Sequence, residues 1–156
     1  MTDIITTNSE ISMLLYFLPK ILIATICGAI IGWDREQKNK VAGLRTNILI
    51  CVGAAIFTIV SVIVSHDNNS DPTRILSTIV TGIGFLGGGV IIKTDDKIVG
   101  VTTAAFIWVV SAIGILCGIG ATLTPIILTI ILLIVSKLFE KVERYIKDKN
   151  NEKKEN

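Results

Sequence analysis

The sequence predicts an all-α integral membrane protein with about five transmembrane helices, its amino terminus outside and its carboxyl terminus cytoplasmic. Three observations carry that expectation. Hydrophobic residues make up 51% of the 156 residues and charged ones only 18%, too apolar a balance for an ordinary soluble domain of this length. The apolar residues gather into runs near 13–33, 44–64, 75–92, 98–119 and 123–139, each close to the roughly 20 residues a helix needs to cross the hydrocarbon core. Basic residues lie almost wholly on one side of those runs, the side that positively charged flanks mark as cytoplasmic. Continuous apolarity without strict period-two alternation favours helices over a barrel.

Residues 1–12 are polar and acidic, an extracytoplasmic start without the basic flank or small-residue cleavage pattern of a secretory signal. The first run is interrupted by Pro19 and Lys20, and the fifth is short before Lys137 unless its basic side chains snorkel. Arg35, Lys38, Lys40 and Arg45 separate the first two runs, Lys93 and Lys97 separate the third and fourth, and Lys137 opens a basic end. Only Lys20 and Arg74 fall near the opposite side. Residues 13–139 therefore read as one membrane domain with short loops, and 140–156 as a basic cytoplasmic tail with no additional soluble domain. Leu138, Phe139, Val142, Tyr145 and Ile146 recur at helical spacing, so the last helix is expected to continue into the cytoplasmic interface or to turn along it.

Helices in a bilayer pack through small residues, because lipid gives no hydrophobic drive for two helices to associate. Gly28 and Gly32, Gly84 and Gly88, and Gly114 and Gly118 each form a GxxxG pair on a different run. The stretch Gly82–Gly89 holds five glycines in eight residues, including Gly87, Gly88 and Gly89. Tight packing is the preferred account, and an unwound backbone offering carbonyls to an ion is the alternative. Cys27, Cys51 and Cys117 lie inside predicted spans and read as buried free thiols; the lone His66 reads as a solvated loop residue.

Depth brings the unusual residues together. Asp34, Arg35 and Glu36 close the first run at its inner end, and Arg45, Thr46 and Asn47 open the second from the same side. Gly87–Gly89 precede Lys93 by a few residues, and Thr102 and Thr103 begin the fourth run at matching depth. This layer near the cytoplasmic leaflet is the expected functional face. Asp34 and Glu36 suit a hard cation such as Mg2+, which is the one cofactor these residues suggest. Alternatively, Arg35 and Arg45 neutralise them in a structural carboxylate–guanidinium network. No nucleophile–base pair, metalloprotease spacing or phosphate loop is present, so neither an enzyme nor a nucleic-acid binder is expected.

GAIIGWDREQKNKVAGLRTNILICVGAAIF, with RILSTIVTGIGFLGGGVIIK and VGVTTAAFIWVVSAIG after it, resembles the MgtC/SapB family of bacterial membrane proteins. The family pattern is an Ile-Gly-x-Glu-Arg-Glu run, then Ala-Gly-Leu-Arg-Thr, then a glycine-rich third block and a Gly-Leu-Thr-Thr-Ala-Ala motif. The resemblance covers about residues 21–119. Asp34 stands where the family usually has Glu, and Gly88 where it has Ala. The resemblance implies a multi-pass protein of the bacterial cytoplasmic (inner) membrane, linked to magnesium homeostasis and, in pathogens, to virulence. It further implies a regulatory role in adaptation to low Mg2+, with the F-type ATP synthase as a membrane partner. The alternative is a homo-oligomeric Mg2+ or cation transporter or channel subunit, a dimer built on the GxxxG faces. Many members carry a soluble domain after the last span, and roles that depend on one are not expected of this sequence.

Overall fold

Three residues with left-handed backbone punctuate the chain: Asn39 (φ 51°), Gly100 (φ 91°) and Gly120 (φ 107°). Each stands at a helix end, where such a conformation redirects the chain, and glycine or asparagine takes it at least steric cost. The helices they help to delimit are α1 (Thr2–Gln37), α2 (Leu44–Asn68), α3 (Thr73–Gly89), α4 (Val101–Ile119) and α5 (Leu123–Glu155), with strands β1 (Ile92–Lys93) and β2 (Ile98–Val99) between α3 and α4. This computed structural model describes residues 2–68, 71, 73–95 and 97–155, and the side chains of 10–65, 71, 73–95, 97–147 and 149. His66 has its side chain outside the described residues.

The chain is an all-α membrane protein. Within α1, α2 and α5 the segments Glu10–Gln37, Leu44–Ser65 and Leu123–Lys147, together with α4, are long and apolar enough to cross a bilayer. The expected third span is shorter than the sequence suggested. α3 has 17 residues, about 25 Å at 1.5 Å per residue, against a hydrocarbon core of roughly 30 Å. Its end is set by bonds from the Val90 and Ile91 N–H groups to the Gly87 and Gly88 carbonyls, three residues back. The chain then forms a hairpin in which Ile92 pairs with Val99 and Lys93 with Ile98. A short β-branched apolar run cannot be told from a helix end by periodicity, which is why the expected spans at 75–92 and 98–119 overran into the hairpin. Gly100 closes it, and a Cβ there would collide with the Val90 carbonyl.

α1, α2 and α4 make the core, with Ala24, Cys27 and Ile31 from α1, Ile50, Cys51 and Ala55 from α2, and Phe106, Val110 and Cys117 from α4 among its buried residues. All three cysteines are free and buried. Glycine lets the three backbones approach: a Cβ on Gly28 would lie 2.8 Å from the Asn47 carbonyl, on Gly32 2.8 Å from Leu44 Cα, and on Gly118 2.6 Å from the Ala55 carbonyl. One on Gly114 would run into the Cys51 carbonyl. Two of the three expected GxxxG pairs therefore join helices within the chain, while a Cβ on Gly84 or Gly88 would have nothing within 4 Å among the described residues. Nor does the glycine-rich stretch unwind, since α3 stays helical through Gly89. Buried hydroxyls are satisfied locally where possible, as where Thr58 Oγ1 donates to the Ala54 carbonyl one turn back at 2.7 Å.

Pro19 does not break α1, and the expected boundary at residue 12 marks no change of backbone, which is helical from Thr2. The Lys20 ammonium donates to the Gly118 carbonyl at 3.3 Å and lies 4.2 Å from the Tyr16 ring centroid, so it serves the negative end of α4. Beyond it, Gly120 N–H and Ala121 N–H bond the Cys117 and Leu116 carbonyls in a Schellman closure. α5 continues past residue 139 as one helix, one of the two courses its apolar spacing predicted.

Candidate functional site

At the opposite end of the core, α1 stops in the same type of closure. Asn39 N–H bonds the Glu36 carbonyl at 2.9 Å and Lys40 N–H the Arg35 carbonyl at 3.1 Å, with Asn39 in the left-handed conformation. This turn points the chain back toward α2 and fixes the positions of Lys38 and Lys40. Glu36 then reaches forward across the loop, where its Oε2 accepts the Leu44 N–H at 2.9 Å. That N–H belongs to the first turn of α2 and has no partner within its own helix. The negative carboxylate also suits the positive end of the helix dipole. Gly43 is required beneath it, because a Cβ there would strike the Glu36 carboxylate.

Asn47 fastens the loop from the other side. Fully buried, its Nδ2 donates to the Ala42 carbonyl at 2.9 Å and to the Gly43 carbonyl at 2.7 Å. Its Oδ1 is buried without a hydrogen-bond partner among the described residues. The segment AGLRTN thus builds its own lock: the glycine makes room, the leucine offers its N–H, and the asparagine ties down two carbonyls.

Asp34 faces elsewhere. Its Oδ2 lies 2.8 Å from Lys38 Nζ, one turn on, a close ion pair that is off the alignment of a good hydrogen bond. The same ammonium donates to Glu140 Oε1 of α5 at 2.7 Å. Lys38 therefore bridges α1 and α5 through two carboxylates. Partial burial alone would lower its pKa; the two adjacent carboxylates outweigh that and hold it above the ordinary lysine value.

Arg35 is 1% exposed. Its guanidinium carbon sits 4.1 Å from the Phe106 ring centroid in α4, a cation–π contact that partly compensates for burial. Nε and Nη2 have no acceptor among the described residues. The close ion pair of Asp34 is made by Lys38 and not by the expected Arg35 or Arg45, while Arg35 stays within electrostatic reach of Asp34. Arg45 is exposed and forms no ion pair among the described residues. Thr46 and Thr102 are exposed, whereas Thr103 is buried in the first turn of α4. Gly87 meets Ala104, but Gly88 and Gly89 have open space where a Cβ would stand.

The layer inferred from the sequence therefore resolves into three devices: the Glu36–Asn47 lock, the Asp34–Lys38–Glu140 bridge and the Arg35–Phe106 stack. The sequence pairs Asp34 and Glu36 as cation ligands. Two residues apart on a helix, they point to different sides, and each carboxylate has its own protein partner. No group of three or more His, Cys, Asp or Glu suited to a metal occurs among the described residues. Lys38, Phe106 and Glu140 were not expected. The Asp34–Lys38 spacing of four residues was a readable signal for the first; nothing local could have paired residues 38 and 140.

Comparison with known proteins agrees with the motifs. A family model described as the MgtC family matches residues 21–145. A protein of Synechocystis sp. is 48% identical over 103 residues, covering 66% of this chain and 43% of that protein. Protein MgtC of Brucella abortus is 44% identical over 115 residues, 74% of this chain and 48% of the relative. Protein MgtC of Salmonella typhimurium is 40% identical over 138 residues, 88% of this chain and 58% of the relative. The chain spans about half the length of these curated relatives. No solved structure matches. With the family match running from α1 into α5, the chain belongs to the MgtC family.

Proposed function

We propose that this protein is a non-catalytic regulator of the bacterial cytoplasmic membrane, acting in adaptation to low Mg2+, with the charged end of the helix bundle as its functional face. The observation that carries this reading is that both motif carboxylates are held within the chain, which ties α1 to α2 through the Leu44 N–H and to α5 through Lys38 and Glu140. Glu36 is committed to the Leu44 N–H and Asp34 to Lys38. A cation entering there would first have to displace those partners. A face whose two motif carboxylates already have partners within the chain suits recognition of another membrane protein better than it suits a conduction path.

The partner favoured by the family resemblance is the F-type ATP synthase, reached by helix–helix contact. Of the three glycine pairs, Gly84 and Gly88 on α3 remain open for such a contact or for a second copy of the chain. Expression of the full chain should lower ATP-driven proton pumping in inverted membrane vesicles. Unchanged pumping at an expression level verified by blotting would remove this partner. The transport alternative has its own assay, with purified protein in liposomes loaded with a Mg2+-sensitive dye. Regulation predicts flux equal to that of empty liposomes, and Mg2+ entry that depends on the protein would replace the regulatory reading.

A further inference from the structure

Beyond the lock and the bridge, the charged end holds a groove of 460 Å³ between the turn that closes α1 and the part of α5 that follows Glu140. Its wall carries four cationic side chains, Lys38, Lys40, Arg144 and Lys147, against two carboxylates, Glu140 and Glu143. Both carboxylates are already used. Glu140 accepts from Lys38 at 2.7 Å and Glu143 lies 3.1 Å from Lys147. That leaves Lys40 and Arg144 as cations without an ion pair among the described residues. The Schellman turn at Asn39 fixes the backbone that carries Lys40, and the helix of α5 fixes that of Arg144. The two positive groups therefore come from separate elements, preset on either side of one concavity. Arg35 lies behind the groove within electrostatic reach of Asp34 and Glu140, with Nε and Nη2 unbonded among the described residues.

We infer that this groove binds a phosphate group, with Lys40 and Arg144 as its direct ligands and the Lys38–Glu140 pair as its floor. The chemistry follows from the donors. An arginine fork and a lysine ammonium line one concavity in which the carboxylates among the described residues are already paired, and this pairing recognises phosphate oxygens through charge-assisted hydrogen bonds. The level follows from the helices: α1 and α5 both leave their apolar stretches here, which puts the groove at headgroup depth. Basic pockets between helices at that depth take the phosphates of anionic lipids. A soluble phosphate compound offers the same oxygens, so the test separates the two sources. The inference does not depend on the proposed role in low Mg2+.

The test uses the full chain purified in uncharged detergent. Retention of phosphatidylglycerol, cardiolipin and phosphatidylcholine is read by native mass spectrometry, and protection by pyrophosphate is read as a thermal shift. The Lys40→Gln/Arg144→Gln variant is compared with Lys93→Gln/Lys97→Gln, which removes the same charge from the hairpin. The groove variant should bind its phosphate probe about tenfold more weakly, as expected when charge-assisted contacts worth ~1.4 kcal/mol are lost. The hairpin variant should match the parent. Loss confined to anionic lipids assigns the site to headgroups; loss confined to pyrophosphate assigns it to a soluble ligand. The inference is overturned if neither probe distinguishes the groove variant from the parent, or if the hairpin variant loses as much. Either single variant carries the same reading should the double variant not accumulate.

Discussion

Lys38 holds a carboxylate on each side, one from its own helix and one from α5, so its loss should be felt mainly as a loosening of α5. Both pairs are only partly shielded from water, which limits their worth. Lys38→Met is expected to destabilise the purified protein by about 1–2 kcal/mol. A double-mutant cycle with Glu140→Gln should recover a coupling of about 0.5–1 kcal/mol by thermal unfolding. The pH dependence has a definite sign. Because the folded-state pKa of Lys38 lies above its ordinary value, the stabilisation is fully present below the unfolded-state pKa of about 10.4 and is lost as pH rises through the folded-state value. Stability of the parent relative to Lys38→Met should therefore be flat from neutral pH to about 10 and converge only above it. Asn47 is the other residue whose removal should register. Asn47→Ala takes two donors from buried carbonyls, at a cost of about 2 kcal/mol, and should expose the 38–43 loop to trypsin. The motif residues were legible as a polar layer, but their partners were only half so. The four-residue step from Asp34 to Lys38 is a helical neighbour relation visible in sequence, whereas Glu140 enters from 102 residues away and could be found only by folding.

At the level of helices, glycine spacing identified the small-residue faces without saying which of them find a neighbour. On α1 and α4 they do. Gly28, Gly32, Gly114 and Gly118 stand where a Cβ would meet α2 or its side chains. On α3, Gly84 and Gly88 look into open space. The two classes should part experimentally. Gly114→Leu forces α4 away from the Cys51 carbonyl and is expected to cost at least about 1–3 kcal/mol, as overpacking does, seen as poor accumulation or a lower melting temperature. Gly84→Leu is expected to leave the melting temperature of the isolated chain unchanged, and any loss of function it caused would point to a contact outside the chain. The hairpin at 92–99 was the element missed. Its residues are apolar and β-branched, and the apolar runs on either side drew it into the neighbouring spans. What ends α3 is local hydrogen bonding at Gly87 and Gly88, which leaves no mark on hydropathy.

Across the whole molecule, the class and the uneven distribution of charge followed from composition, because a chain this apolar can bury its backbone polar groups in lipid only as helices or a closed barrel. Tertiary structure adds the division of labour. α1, α2 and α4 form a glycine-packed core, α3 and α5 lie against it, and one end gathers the motif residues into a network that ties α1 to α2 and to α5. The proposed function requires this end to be a working face and more than a means of holding helices together. Asp34 tests it most directly, because Glu140 still holds Lys38 when Asp34 loses its charge, so the fold should survive the change. The measurement is growth in low Mg2+ of a strain lacking its own copy and complemented with Asp34→Asn, alongside the amount of protein in its membranes. The Asp34→Asn variant should accumulate as the parent does and fail to support growth; normal growth by a well-accumulated variant would overturn the role of this face.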